Sequence, residues 1–443
     1  MSSEKYLGYV TKEGIAATIM ASITANYLVL FVLALGADNF TIGLVVALPA
    51  LVSAIVLLPA AYVVEINNRR KMCYITAFLS RVIWIPVAIV PYLITNSIPV
   101  LMVSIAISAL FSAFVSIAWA SLVSDIVHEE IRGRYFGLRS KLCAIASLAT
   151  VIVAGIILAI FPNTFGFLIV FLAAGIAGVL SAYYFFRFPN IEQIKKKIEI
   201  MPMLRDRRFL IFIIAVFVLQ FGVSFSAPFL NVYLIKYLSG TYAWVSVIIF
   251  VSGISTIAVQ KKWGDISDII GHKYVVAITS VFIAIIPLGY VFATSPEFLI
   301  PVNIMSGIVW AGFNLAVFNY LLEISERKIV SSALFWTISS LAIFAAPMIG
   351  GYMIDMPQLT FMNNYQLVFI ISWLIRLVGA FMFIFLIEDI KYMTATRYIS
   401  RELFAESFQS LEKHLHFGLL KEYTKKVGKK ITDEIEKTAK KGV

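Results

Sequence analysis

Twelve apolar stretches, each about 20 residues long, follow one another along this chain. They lie at about 14–35, 43–65, 72–94, 99–123, 141–161, 166–187, 209–234, 244–260, 274–293, 298–322, 333–354 and 366–388. An α-helix of about 20 such residues crosses the roughly 30 Å of hydrocarbon in a bilayer. It satisfies its own backbone polar groups on the way, so the expectation is twelve membrane-spanning helices. Composition closes off a soluble core. Of 443 residues, 60% are hydrophobic and 14% charged, against about 45–50% and about 25% in soluble domains. A soluble protein of this length has too little interior for so much apolar surface. A soluble enzyme, a disordered chain and a disulfide scaffold are therefore excluded. The first stretch is too long for the apolar part of a cleaved signal and is expected to remain as a span.

The connections alternate in charge. Those after spans 2, 4, 6, 8 and 10 carry Arg69, Arg70 and Lys71; Arg132, Arg134, Arg139 and Lys141; Arg187 through Arg208; Lys261, Lys262 and Lys273; and Arg327 and Lys328. Those after the odd spans carry Lys236 alone. Basic segments resist translocation, so this pattern places both termini in the cytosol and the chain as a multi-pass protein of the cell membrane. The net charge of +11 is thereby explained by topology, and no nucleic-acid partner is expected. Cys73 and Cys143 lie near basic connections, on the reducing side, and are expected to be free thiols. The histidines, His128, His272, His414 and His416, lie in polar segments, so no metal site is expected, and no cofactor either.

The longest interior polar segment divides the chain six spans and six. The expected organisation is a six-helix bundle at 1–187, a cytosolic central loop at 188–208, a second six-helix bundle at 209–388, and a charged tail at 389–443. Two segments match between the halves at an offset of about 200 residues. The stretch from Gly264 to Lys273 aligns with Ala61 to Arg70, Glu65 answering Asp268 and Asn68 answering Gly271. Asp125 answers Glu323, and Ile131 answers Ile329. A six-helix unit repeated in parallel accounts for both the count and the offset.

The same segments carry a family resemblance. Gly264, Asp268, Gly271, His272 and Lys273 resemble motif A of the major facilitator superfamily (MFS), Gly-x-x-x-Asp-x-x-Gly followed by two basic residues. The segment Arg132-Gly133-Arg134-Tyr135-Phe136-Gly137-Leu138-Arg139 resembles a stretch found after the fourth helix of many members. Pro347-Met348-Ile349-Gly350-Gly351 resembles their Pro-x-x-Gly-Gly. The resemblance spans about residues 10–390. It implies an all-α fold of two pseudo-symmetric six-helix bundles. Spans 1, 4, 7 and 10 would line a central cavity and 3, 6, 9 and 12 would stand outside. It also implies a secondary transporter, working as a monomer by alternating access. Family alone says little about cargo.

Polar side chains within apolar runs are costly unless they pair or face water. Asn26, Ser116, Gln220, Asn303, Trp310 and Asn314 are the candidate solute contacts. Carboxamides donate and accept hydrogen bonds and suit neutral polar or zwitterionic solutes. Each also has a plainer reading: the serines of span 4 as a close-packing face, the amides as interhelical ties, and the tryptophans as packing. Arg81 and Arg376 are the basic residues well inside spans. Each has a tryptophan three residues away, Trp84 and Trp373, placed for stacking. Structural ties to neighbouring helices are expected there, with anion binding as the alternative. Glu13 and the other carboxylates are expected at span ends or in loops, leaving no acid in mid-membrane, with Glu13 or Asp38 in a cavity mouth as the alternative. Glu65, Arg134, Gly264, Asp268, Gly271 and Lys273 are expected to form a conformational latch, with Asp268 or Glu65 meeting Arg327 or Arg139. Phe404, Phe408, Leu411 and Leu415 suggest an amphipathic helix in the tail.

The expected function is secondary active or facilitative transport of a small solute, with or without a coupling ion such as a proton. The partners are that solute and the lipid bilayer. Efflux of hydrophobic drugs and a non-transporting sensor that signals through the tail are the competing readings. No phosphate-binding loop is present, and no acid or histidine cluster suggests an enzyme.

Overall fold

The computed structural model describes residues 2–190, 206–325, 328–358 and 362–387. Among these described residues, twelve helices are long and apolar enough to cross a membrane. They are span 1, Ser2–Ala34; span 2, Asn39–Ile66; span 3, Arg69–Val82 and Trp84–Leu93; span 4, Ile98–Ile126; span 5, Glu129–Ile160; and span 6, Thr164–Phe186. After the central segment come span 7, Arg207–Lys236; span 8, Tyr242–Ile270; span 9, His272–Val291; span 10, Leu299–Ile324; span 11, Lys328–Asp355; and span 12, Asn364–Phe385.

Polar residues mark where the helices begin. Asp38, Asn68, Asn163, Asp206 and Asn363 each accept a hydrogen bond from a backbone N–H in the first turn that follows. These caps satisfy amides that have no partner within the helix. The hydroxyl and amide of Thr41 hold the Asp38 carboxyl below its ordinary pKa. Gly271, at φ 93°, ends span 8 in a backbone conformation that a side chain would strain.

Three helices run well past their apolar stretches, span 1 among them, which begins at Ser2 rather than about 14. Span 5 begins at Glu129 rather than about 141, and span 8 continues to Ile270 rather than about 260. Hydropathy reads where lipid ends, whereas the helical hydrogen bonds continue into the headgroup region. Gly264 and Asp268 therefore stand on a helix and not in a loop, and so do Arg134 and Arg139. The tail and the central segment 191–205 lie outside the described residues.

Within the first half, span 5 packs on 1, 1 on 6, 6 on 3, 3 on 4 and 4 on 2. Within the second, span 11 packs on 7, 7 on 12, 12 on 9, 9 on 10 and 10 on 8. Adding six to each number converts one order into the other, so the repeat read from sequence is a repeat of packing. The halves meet through 2 against 11 and 5 against 8. Among the described residues, spans 3, 6, 9 and 12 pack mainly within their own half, with spans 6 and 12 reaching the other only at their first turns. Spans 1, 4, 7 and 10 complete the walls of the space between.

That space is closed at one end. A Cβ at Gly43 would overlap the Pro347 carbonyl, one at Gly351 would overlap the Asn39 backbone, and one at Gly155 would meet Ser246. Asp355 accepts from the Asn39 amide at 2.6 Å and the Phe40 backbone N–H at 2.8 Å, and Tyr365 donates to Asn39 at 2.6 Å. The Tyr27 hydroxyl lies 2.7 Å from that of Ser246 and 3.0 Å from the Val151 carbonyl. Phe167 meets Tyr242 edge to face at 5.1 Å. Apart from the Tyr27–Val151 bond, which ties span 1 to span 5, these contacts join the halves at the end away from the basic connections. Toward the basic end of spans 2 and 11, Tyr62, Ile66 and Trp336 are exposed. Among the described residues, the tight contacts between the halves gather at the end away from the basic connections.

Candidate functional site

The main polar cluster inside the membrane region centres on Glu13, which is 2% exposed. It lies about 12 Å along span 1 from Lys5, at 1.5 Å rise per residue. This corrects the expectation that every carboxylate sits at a span end. Apolar counting starts the first span after Lys12 and Glu13, but the helix began earlier. Glu13 Oε1 accepts from Arg81 Nη2 at 3.2 Å and from the Ser181 hydroxyl at 2.9 Å. Glu13 Oε2 accepts from Trp119 Nε1 at 3.1 Å and lies 3.6 Å from Arg139 Nη2. One carboxylate thus ties spans 1, 3, 4, 5 and 6. A buried charge is tolerable when it is paired and hydrogen-bonded.

Two small residues make room. A Cβ at Gly14 would overlap the Arg139 guanidinium, and one at Gly178 would lie 3.0 Å from Arg81 Cβ. Arg81 also donates to Ser181 and stacks over Phe185 at 5.3 Å. It does not stack on Trp84, which packs on Phe171 at 5.9 Å. Span 3 is divided into two helices at Ile83, whose own backbone stays helical.

In the second half Arg376, 2% exposed, gives its N–H groups to the carbonyls of Gly222, Val223 and Ile283 and to the hydroxyls of Ser226 and Ser372. Its stem lies against Gly222, where a Cβ would stand 2.9 Å from Arg376 Cγ. Arg81 reaches from span 3 to span 6, and Arg376 reaches from span 12 to span 9. From opposite helices, both fill the same place in their half, between the two outer spans and the first. The second half supplies carbonyls there, and the first supplies a carboxylate.

The residues singled out by sequence fall into two groups. Asn303 is buried and spends its donors on the Tyr290 hydroxyl at 3.1 Å and the Leu299 carbonyl at 2.9 Å. Asn26 donates to the Ser22 carbonyl at 2.7 Å, and Trp310 meets Phe313 edge to face at 5.6 Å. Asn314 is exposed and Gln220 half-buried, and neither amide is hydrogen-bonded among the described residues. Ser116 is exposed one turn from Trp119 and donates to the Ala113 carbonyl at 2.8 Å.

At the basic end, Arg139 is drawn into the Glu13 cluster and does not meet Asp268. Among the described residues there, Arg69 pairs with Asp125 at 2.7 Å and His272 Nε2 lies 3.3 Å from Glu323. Asp125 and Glu323 are the positions matched between the halves by sequence, so the repeat extends to these pairs. Asp268 and Arg134 are exposed. Lys273 lies 5.6 Å from the ring centroid of Tyr274. Glu65 stands in the last turn of span 2, its side chain outside the described ones, and Arg327 is outside the described residues. Both cysteines are free thiols.

Twelve spans, two halves of identical packing order and a space closed at one end define the class: a polytopic helical membrane protein with a transporter fold. The model of the Major Facilitator Superfamily matches residues 14–347. The chain belongs to that superfamily, a family of transporters and typically non-enzymatic. Among solved structures, a point mutant of the nucleoside transporter NupG is similar at a TM-score of 0.70 and 14% identity, covering 85% of this chain and 99% of that one. A D-xylose-proton symporter is similar at 0.68 and 15%, covering 88% and 99%. A bacterial homolog of the human lysosomal transporter Spinster, inward-facing and occupied, is similar at 0.65 and 12%, covering 86% and 96%. At these identities the likeness is one of fold.

Proposed function

We propose that this chain moves a small polar solute across the cell membrane by alternating access, as a monomer, with 1–187 and 209–388 as the two rocking units. The observation that carries the reading is the one-sided closure. Spans 2 and 11, and 5 and 8, interlock at the end away from the basic connections, and each half is tied internally. A rigid half that pivots against its repeat exposes the space between to one side at a time. The basic connections mark the cytosolic side and place both termini there. The described conformation is then open to the cytosol. Asn314 and Gln220, with amides not spent on the protein, are the solute contacts in the second half. Asp268, Gly271 and Lys273 form the cytosolic latch that engages when this end closes. The buried Glu13 cluster favours a polar cargo over a hydrophobic drug.

Solute counterflow in proteoliposomes tests the reading. Purified protein should exchange at least one polar solute from a broad library, and Asn314→Ala or Gln220→Ala should slow that exchange. Specific solute binding without any flux would instead make the protein a sensor.

A further inference from the structure

Arg139 stands apart from Arg81 and Arg376 in what its guanidinium leaves unused among the described residues. Arg376 spends its donors on carbonyls and hydroxyls, and Arg81 on Ser181 and Glu13. Arg139 makes one long hydrogen bond, from Nε to the Val10 carbonyl at 3.4 Å, and approaches Glu13 only to 3.6 Å. Its face is stacked over Trp119 at 4.9 Å, which fixes its plane. A guanidinium carries five N–H donors in a flat fork, so most of these are unspent among the described residues. Glu13 does not need them, because Arg81, Ser181 and Trp119 already supply its carboxylate.

The position is as telling as the surplus. The side chain runs from span 5 across Gly14 of span 1 to the ring of Trp119 on span 4. Spans 5, 1 and 4 form the wall that the first half turns to the second, so the guanidinium lies along that wall. It keeps 17% of its surface exposed, whereas Glu13 behind it keeps 2%. The charges of Glu13, Arg81 and Arg139 sum to one positive. A single negative charge neutralises the cluster, and a neutral solute would leave the fork without acceptors.

We propose that Arg139, backed by Trp119, binds the carboxylate of a small organic monoanion, and that such a monoanion is the solute. A planar carboxylate matches the fork with two parallel hydrogen bonds. The inference rests on the transport reading above and names the solute class for it.

The test uses the full chain in nanodiscs. Thermal unfolding is followed with benzoate and lactate, with their neutral amides benzamide and lactamide, and with inorganic phosphate. At least one acid should raise the melting temperature while its amide does not. Arg139→Lys, which keeps the charge and loses the fork, should weaken that acid about tenfold or more, and Arg139→Gln should abolish the effect. Should Arg139→Gln fail to fold, the wild-type protein supplies the second measurement. Modification of Arg139 by phenylglyoxal, read by mass spectrometry, should be slowed by the acid and not by the amide. Equal effects of acid and amide, acid binding unchanged in both variants, phosphate outperforming both acids, or no response to either acid would each overturn the assignment. The two readings fail separately. A neutral solute that exchanges through Asn314 and Gln220 leaves transport standing and removes the anion site. Acid binding at Arg139 with no flux in proteoliposomes does the reverse.

Discussion

Glu13 is the residue on which the first half turns. Its carboxylate lies between two arginines, and substitution by glutamine keeps the shape while leaving two like charges facing each other across it. Breaking one partner of a buried ion pair costs about 3–5 kcal/mol. Glu13→Gln should therefore lower the unfolding midpoint of the detergent-solubilised protein far more than an exposed substitution, and adding Arg81→Gln should recover part of the loss. A shift no larger than that of Arg134→Gln, at an exposed position, would remove Glu13 from this role. The sequence made Arg81 and Arg376 conspicuous, because a charge in an apolar run needs a reason. It did not make their partners legible. Glu13 reads as the polar flank of a span beside Lys12, and its ligands come from spans 3, 4, 5 and 6, a matter of packing alone. The Arg81–Trp84 stack is a local inference, and it fails because partners from other spans, Glu13, Ser181 and Phe185 for Arg81 and Phe171 for Trp84, take up both side chains.

Span 11 shows how one helix serves both halves. Gly350 lets it lie against the Phe225 carbonyl of span 7, within its own half. The Pro347 carbonyl and Gly351 lie against Gly43 and Asn39 of span 2, across the halves. The Pro-x-x-Gly-Gly pattern is thus a packing device with two sides. The sequence displays the small residues without saying which helices approach them. At its end, Asp355 grips the first turn of span 2 through Asn39 and Phe40. Removing a partner from hydrogen bonds of this kind costs about 1–3 kcal/mol. Asp355→Ala should accordingly shift the protein toward the state closed at the basic end, about tenfold per 1.4 kcal/mol. Maleimide labelling of Trp336→Cys, at a residue 55% exposed, should slow in that background. An unchanged rate would mean that Asp355 does not hold the closure. Span limits were legible only as far as lipid extends, and for that reason the first turns of span 5 and the last of span 8 were taken for loops.

At the scale of the whole molecule, the repeat was the most legible feature. It was written in the alternation of basic connections, in two matched segments and in a division of six and six. The packing order and the pairs Arg69–Asp125 and His272–Glu323 follow it. The halves are alike in architecture and unlike in charge, since the carboxylate of the first has no counterpart around Arg376 among the described residues. Which end is closed was not legible. That choice belongs to an equilibrium between two packings of the same helices, separated by small differences in contact energy. The claim that the halves pivot is tested most directly by spin-label distances in nanodiscs. One pair of labels, at Tyr62→Cys and Trp336→Cys, reports the basic end, and another, at Phe40→Cys and Met356→Cys, reports the other. Cys73 and Cys143 are replaced in both backgrounds. Two distance populations are predicted at each end, and Asp355→Ala should shift them in opposite senses, shorter at the basic end and longer at the other. A single distance at each end, indifferent to that substitution, would contradict alternating access by this chain.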